Sequence, residues 1–163
     1  MPRKVNPIPQ GYHTVTPSLM VRGAAQALDF YRTAFNAEET LRMPGPDGKI
    51  MHAEFRIGDS VMMLGEEMPD MGGKSPQSLG GSPVSFFIYL ENVDEAWQRA
   101  INAGAKEVMP LADMFWGDRA GCVDDPFGHH WWLAQHVADL TLDEIKKGQE
   151  EFFSQRHTTP QTA

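Results

Sequence analysis

The chain has little cysteine, little positive charge and no long apolar run, and each shortage excludes a class of protein. One cysteine among 163 residues rules out an internal disulfide and fits a reducing compartment, so we expect a cytoplasmic protein. Fourteen Lys and Arg against 22 Asp and Glu give a net charge of −8. No basic stripe can then neutralise phosphates, which argues against nucleic acid as a partner. No apolar stretch approaches the roughly 20 residues of a membrane span, and we expect no signal peptide.

Hydrophobic periodicity predicts two copies of one β-α-β-β-β unit. The first copy consists of a predicted strand over 13–21, a helix over 24–35 and three further strands. The helix is predicted from apolar residues at helical spacing. In the second copy, a strand over 84–90 and a helix over 93–103 precede the other strands. The copies align with one constant offset of 69 residues, which indicates an internal duplication. The sequence therefore predicts an α+β fold of two tandem βαβββ modules.

Changes in composition divide the chain into five predicted segments. Residues 1–12 form an N-terminal extension, and residues 13–65 form the first module. The stretch 66–83 is rich in Gly, Pro, Ser and Met and predicts a linker or a mobile flap. Residues 84–137 form the second module. Residues 138–163 hold a C-terminal helix, which opens with a Thr-Leu-Asp-Glu capping box, and a tail.

Residues 114–136 hold three of the four Trp, three of the six His and the only Cys of the chain. An Asp-Pro pair followed by Gly predicts a tight turn between two strands. Because adjacent strand residues face opposite sides of a sheet, one of Trp131 and Trp132 must belong to the core. Cys122 follows a glycine and precedes a valine, and we interpret it as a small buried hydrophobe, with a reactive thiol as the alternative.

Several local strings occur in order along the chain: LMVRG leading into ALDFY, then MHAEFRIGDSVMML, MPLADMFWGDR and DPFGHHWWLA. Taken together, they resemble the vicinal oxygen chelate superfamily, which includes glyoxalase I, extradiol dioxygenases, fosfomycin-resistance enzymes and bleomycin-resistance proteins. Within that superfamily they look like the PhnB-like branch. The similarity covers residues 11–137. It implies that each module curls its sheet into a half-barrel and that the paired concave faces enclose a ligand cavity. It also implies a homodimer.

The same resemblance implies a metal site with ligands on the first and last strand of each module. Aligning the strands places these positions at Thr16, Met63, Ser85 and Trp132. Two hydroxyls, a thioether and an indole are poor ligands for a divalent ion, so we expect no metal at the standard place and no cofactor. A relocated Zn or Ni site on His52, Glu54 and His130 is the alternative. Ordinary structural roles for these three side chains are the simpler interpretation.

Strand parity assembles a predicted pocket from side chains that point away from the helices. The predicted ligand-binding residues are Ser18, His52, Met63, Phe87, Tyr89, Trp116, Arg119, His130 and Trp132. Trp116 is expected to stack on a flat ligand, and Arg119 to hold a carboxylate. A salt bridge from Arg119 to Asp118, Asp124 or Asp125 explains that residue equally well.

Two functions follow from these observations. The first is a metal-independent protein that binds a planar, partly apolar small molecule in an aromatic cavity, as bleomycin-resistance proteins do. The second is a metal-dependent enzyme of the lyase or dioxygenase type with relocated ligands, in which Glu54 is the base and His52 a ligand. The metal content of the purified protein, followed by mutation of these two residues, separates the two hypotheses.

Overall fold

A computed structural model, which describes residues 5–157, shows two β-α-β-β-β units and a C-terminal helix. The first unit consists of β1 (Ser18–Val21), α1 (Ala24–Phe35), β2 (Glu38–Pro44), β3 (Ile50–Ile57) and β4 (Ser60–Glu66). A 3-10 turn (Pro69–Met71) and a short helix α2 (Pro76–Leu79) connect the units. The second unit consists of β5 (Ser85–Tyr89), α3 (Val93–Asn102), β6 (Lys106–Asp113), β7 (Asp118–Asp124) and β8 (His130–His136), and α4 (Leu142–His157) follows. Residues 1–4 and 158–163, the ends of the predicted extension and tail, lie outside the described residues.

Each unit forms a four-stranded mixed sheet, and the two sheets have equivalent strand orders. The N-terminal sheet, called sheet A, has the order β1-β4-β3-β2, and the C-terminal sheet, called sheet B, has the order β5-β8-β7-β6. In each sheet the first strand is parallel to the last, and the other pairs are antiparallel. Leu19 pairs with Leu64, and Ile88 pairs with Leu133, in the same register 69 residues later. The predicted fold class is confirmed.

The two sheets share one core because both turn an apolar face toward the same layer of helices. The ring of Tyr31 on α1 stacks on Phe55 of sheet A at 5.2 Å and lies 5.3 Å from Trp131 of sheet B. All three side chains are buried. Since alternate strand residues point to opposite faces, the other face of each sheet, called its outer face, points away from the core and from its counterpart.

The first strand begins at Ser18 and not at residue 13 as predicted. Pro17 has no N–H to donate to a ladder, and the Thr16 hydroxyl donates to the carbonyl oxygen of His13 at 3.2 Å. Residues 13–17 therefore approach the sheet as irregular chain. The alternation of apolar residues does not reveal that Pro17 lacks a backbone N–H.

Residues 66–83 are more ordered than the predicted linker or flap. The carboxylate of Glu67 accepts hydrogen bonds from the Ser78 hydroxyl at 2.6 Å and the Ser75 N–H at 2.9 Å, and it pairs with Arg22. The hydrogen bond from Ser78, followed by those from Arg22 and Ser75, holds the pKa of Glu67 well below its usual range. The Gly, Pro and Ser content of this stretch encodes turns around two short helical segments.

In each unit, a side chain near the end of the last strand accepts hydrogen bonds from the start of the long helix. The Glu66 carboxylate accepts the N–H groups of Gly23 and Ala24, each at 2.9 Å. In the second unit the Gln135 side-chain oxygen accepts the Val93 N–H at 3.2 Å. Free N–H groups at a helix start need such acceptors, and a carboxylate also complements the helix dipole. The duplication therefore extends to helix capping.

Replacing Glu66 with alanine is expected to destabilise the protein by about 1 kcal/mol, because two helix N–H groups lose their acceptor. Gln135→Ala is the matched change in the second unit, with one neutral hydrogen bond lost, and we expect a smaller effect. Urea unfolding followed by circular dichroism measures both. Equal losses would show that the charge of Glu66 adds nothing.

The C-terminal helix packs against the body through Phe115. The Phe115 and Phe152 rings lie 5.5 Å apart, and a Cβ at Gly148 would lie 2.9 Å from the Cβ of Phe115, so only glycine permits this approach. The predicted capping box is present, since Thr141 N–H donates to the Glu144 carboxylate at 2.8 Å and Glu144 N–H donates to the Thr141 hydroxyl. None of the helices in residues 5–157 has the length and apolar content needed to cross a bilayer.

Candidate functional site

One chain divides the predicted pocket residues between two outer faces that point away from each other. Trp131 and Phe55 face the shared core, so their strand neighbours face outward. Sheet A presents Ser18, His52, Glu54 and Met63, whereas sheet B presents Phe87, Tyr89, His130 and Trp132. The predicted single pocket is therefore not assembled within one chain.

The outer face of sheet B carries an exposed aromatic surface. The rings of Phe87 and Trp132, which are paired in adjacent strands, stack at 5.7 Å with an interplanar angle of 12°. The Tyr89 ring lies 5.3 Å from Phe87. Phe87 is 44% exposed and Tyr89 is 63% exposed. Aromatic rings that stack on one another and remain open to solvent offer a flat apolar contact for another ring.

The carboxylate of Asp118 organises one end of this aromatic surface. Its Oδ2 accepts hydrogen bonds from the Tyr89 hydroxyl at 3.0 Å and from the Trp116 indole N–H at 2.9 Å, and its Oδ1 lies 2.8 Å from Nδ1 of His136. Asp118 is buried, although the side chains it holds are not. The hydrogen bonds of His136 with Asp118, and then with Asp139, raise the pKa of that imidazole. Asp118 thereby fixes the orientation of Tyr89 and Trp116.

The outer face of sheet A has a polar centre beneath the N-terminal segment. His52 Nε2 lies 3.1 Å from Glu54 Oε1, and the phenolic hydroxyl of Tyr12 donates to Glu54 Oε2. The hydrogen bond from Tyr12, followed by that from His52, lowers the pKa of the Glu54 carboxyl. A cleft of about 440 Å³ lies here, lined on the sheet side by Glu54 and Met63 and on the other side by residues 7–16.

Two predicted site residues have partners that the sequence did not indicate. Arg119 lies on the α3 side of β7, where its guanidinium binds Asp94 at 2.7 Å and Asp113 at 3.1 Å. These bonds replace the predicted alternatives because Asp118 points to the other face and Asp125 is buried among other donors. His130, on the outer face, is hydrogen-bonded through Nδ1 to the Asp124 carboxylate.

The positions at which the resemblance implies metal ligands do not fit a divalent ion. The Thr16 hydroxyl donates to a backbone carbonyl, and the Trp132 indole stacks on Phe87. The other two positions offer a thioether and a hydroxyl, so the set lacks a basic donor. The relocated set of His52, Glu54 and His130 is split between the two outer faces. Within residues 5–157, no three His, Cys, Asp or Glu side chains are grouped so that they could hold a metal ion.

The buried thiol of Cys122 faces the outer side of sheet B beside Trp132, where sheet A has Glu54 beside Met63. Cys122 of β7 therefore corresponds to Glu54 of β3, an offset of 68 residues. The predicted constant offset of 69 is wrong for these two strands. Burial, with a smaller contribution from the nearby Asp124, raises the pKa of the Cys122 thiol. The thiol therefore stays protonated, which agrees with its interpretation as a small hydrophobe.

The sequence analysis missed Tyr12, Asp118 and His136 as members of the outer faces. Strand parity provides a signal for two of them, because Asp118 and His136 are directly paired in adjacent strands. Tyr12 lies outside any strand, in a segment without periodicity. Its contact with Glu54 spans 42 residues and is decided by tertiary folding alone.

The comparisons with known proteins agree with this architecture. Residues 12–133 match the model of the Glyoxalase/Bleomycin resistance protein/Dioxygenase superfamily. An uncharacterized protein of Mycobacterium bovis is 52% identical over 135 residues, which cover 81% of this chain and 89% of the relative. The crystal structure of TioX from Micromonospora is 28% identical with a TM-score of 0.60, covering 77% of this chain and 99% of TioX.

A structure from Bacillus cereus, described as a putative 3-demethylubiquinone-9 3-methyltransferase, PhnB protein, is 20% identical, with a TM-score of 0.59. It covers 76% of this chain and 99% of its own, and at that identity it supports the fold alone. The family match, in contrast, extends over both β-α-β-β-β units and reaches from Tyr12 on the outer face of sheet A to β8 of sheet B. This chain belongs to the Glyoxalase/Bleomycin resistance protein/Dioxygenase superfamily.

Proposed function

We propose that this protein binds a planar, partly apolar small molecule without the help of a metal ion. The observation that carries the proposal is the stacked and exposed aromatic surface of Phe87, Tyr89 and Trp132 on sheet B. Small-molecule sites combine such apolar area with a few fixed polar groups. Asp118 and the His52–Glu54 pair supply polar groups of this kind on the two outer faces.

The proposed site is completed by a homodimer, because within the described residues of one chain neither outer face is covered by the other sheet. In this arrangement the outer face of sheet B in one copy lies opposite the outer face of sheet A in the second copy. A ligand ring then stacks on Phe87 and Trp132 while its polar groups reach His52 and Glu54 of the other copy. Exposed apolar patches on a folded chain commonly mark such contacts. Because of the sequence strings quoted above, we propose that the protein belongs to the PhnB-like branch of the family.

Titration with planar aromatic compounds tests the proposed binding. Trp132→Ala and Phe87→Ala are expected to weaken the binding of a compound such as 2-naphthol by about tenfold or more, because each removes one stacking face. The matched control is Phe153→Ala, which removes an aromatic ring that is 48% exposed on α4 and should leave the affinity unchanged. Isothermal titration calorimetry gives the four dissociation constants, for the wild-type protein and the three variants. No binding by the wild-type protein, or equal losses in all variants, would contradict the proposal.

The alternative function, a metal-dependent lyase or dioxygenase with relocated ligands, also requires two copies. Only a dimer could bring His130 of one chain near the His52–Glu54 pair of another, since one chain separates them. Metal analysis of the purified protein decides the matter. Stoichiometric Zn, Ni, Mn or Fe that is lost in both His52→Ala and Glu54→Gln would replace the binding proposal with the enzymatic one.

A further inference from the structure

The Tyr12 side chain occupies one carboxylate oxygen of Glu54 on the outer face of sheet A. Tyr12 belongs to the segment 5–17, which contains no helix or strand, and its hydroxyl donates to Glu54 Oε2 across a cleft of about 440 Å³. His52 already binds the other carboxylate oxygen. The phenol is therefore held at its tip, beside space that the protein does not fill.

The chemistry around Glu54 selects a neutral donor. The Glu54 side chain is 16% exposed, and none of the described residues that line the cleft is Lys or Arg. A ligand carboxylate or phosphate placed here would meet the ionised Glu54 without a Lys or Arg among the described lining residues, which is costly in a partly buried site. A hydroxyl on an aromatic ring is the group that the protein itself places on this oxygen.

We propose that the ligand of this protein carries a ring hydroxyl, which replaces the Tyr12 phenol on Glu54. This inference rests on the proposed function and names the ligand class of the same site. The ligand hydroxyl donates to Glu54 Oε2 in the cleft beside Met63, and the ring to which it is attached extends from the cleft to stack on Phe87 and Trp132 of the second copy. Residues 5–17 act as a lid whose Tyr12 phenol competes with the ligand for one acceptor.

Competition of this kind makes a specific prediction for Tyr12→Phe. The variant keeps the ring of the lid but frees Glu54 Oε2, so the ligand no longer has to displace an internal donor. A hydrogen bond to a charged acceptor is strong enough to change affinity about tenfold. Tyr12→Phe is therefore expected to bind 2-naphthol about tenfold more tightly than the wild-type protein.

The probe pair is 2-naphthol and 2-methoxynaphthalene, which share a ring system while only the first has a donor. Equilibrium dialysis of both compounds is carried out with the wild-type protein, Tyr12→Phe and Glu54→Gln. We expect the affinity of 2-methoxynaphthalene to change less than twofold among the three proteins. The preference for 2-naphthol should fall about tenfold in Glu54→Gln, since a neutral amide is a weaker acceptor than a carboxylate.

A control variant and a separate readout distinguish the possible failures. Glu38→Gln removes an exposed carboxylate from the same sheet and should leave both affinities unchanged. If both probes bind equally well to Tyr12→Phe, and Trp132→Ala abolishes both, the hydroxyl inference is overturned while the proposed function stands. If neither probe binds to any variant, the proposed function and the inference both fail. Unchanged thermal unfolding of Tyr12→Phe and Glu54→Gln shows that the fold is intact.

Discussion

Replacing Trp131 with alanine is expected to destabilise the protein by about 3–5 kcal/mol, the cost of removing a large buried aromatic side chain. Trp131 is fully buried, and its ring lies 4.8 Å from both Phe35 and Phe86. These contacts join α1 of the first unit to sheet B of the second. The loss should therefore uncouple the two units as well as weaken the second. Denaturant unfolding of the wild-type protein and the variant measures the difference in free energy.

Trp132→Ala is the matched control, because it removes the same side chain from the next residue on the opposite face. Trp132 is only half-buried and stacks on an exposed ring, so we expect a loss of roughly 1–2 kcal/mol. Binding of a planar ligand should respond in the reverse order, with a large effect at Trp132. Equal losses of stability at the two positions would contradict the assignment of the faces.

Asp125→Asn is expected to destabilise the protein by more than about 3 kcal/mol, because a buried acceptor with four donors is replaced by a group that itself donates. The Asp125 carboxylate accepts hydrogen bonds from the Tyr31 hydroxyl at 2.7 Å and the Trp131 indole at 2.9 Å. It also accepts the backbone N–H groups of Phe127 and His129. Tyr31 belongs to α1, so this one carboxylate links the two units. Urea unfolding measures the loss.

Two further variants separate the contributions within this network. Tyr31→Phe removes one donor and leaves three, so the expected loss is roughly 1–2 kcal/mol. Asp124→Asn changes the adjacent carboxylate, which is half-buried and, among the side chains that the structure describes, binds only His130. We expect a loss of about 1 kcal/mol or less. A cost at Asp124 as large as that at Asp125 would argue against the network as the cause.

The Asp125 carboxylate also makes the stability of the protein depend on pH. Burial raises the pKa of Asp125, but the neighbouring His129 and the hydrogen bonds from its N–H, from Trp131 and from Tyr31 outweigh burial, so the net pKa is lowered. A lowered pKa contributes stability above the unfolded value of about 3.9 and loses it as pH falls toward the folded value. The unfolding free energy of wild type should fall below about pH 4 more steeply than that of Asp125→Asn.

Local patterns were sufficient to predict most elements and the direction in which their side chains point. The helix at 24–35 begins and ends as predicted, because its apolar residues have a clear helical period. The adjacent Trp131 and Trp132 divide between core and outer face as parity requires. Boundaries set by a missing donor, such as the start of β1 at Ser18, were not visible in apolar spacing.

The sequence by itself determined the duplicated α+β architecture and which side of each strand faces the core, because periodicity is a local property. Side-chain chemistry is local too, and it determined that Thr16, Met63, Ser85 and Trp132 are poor metal ligands. Only the tertiary structure decided that the two sets of predicted pocket residues face away from each other in one chain. It also decided that Tyr12 binds Glu54 and that Arg119 binds Asp94. These contacts join residues far apart in the chain, so tertiary packing, which no local pattern encodes, sets their geometry.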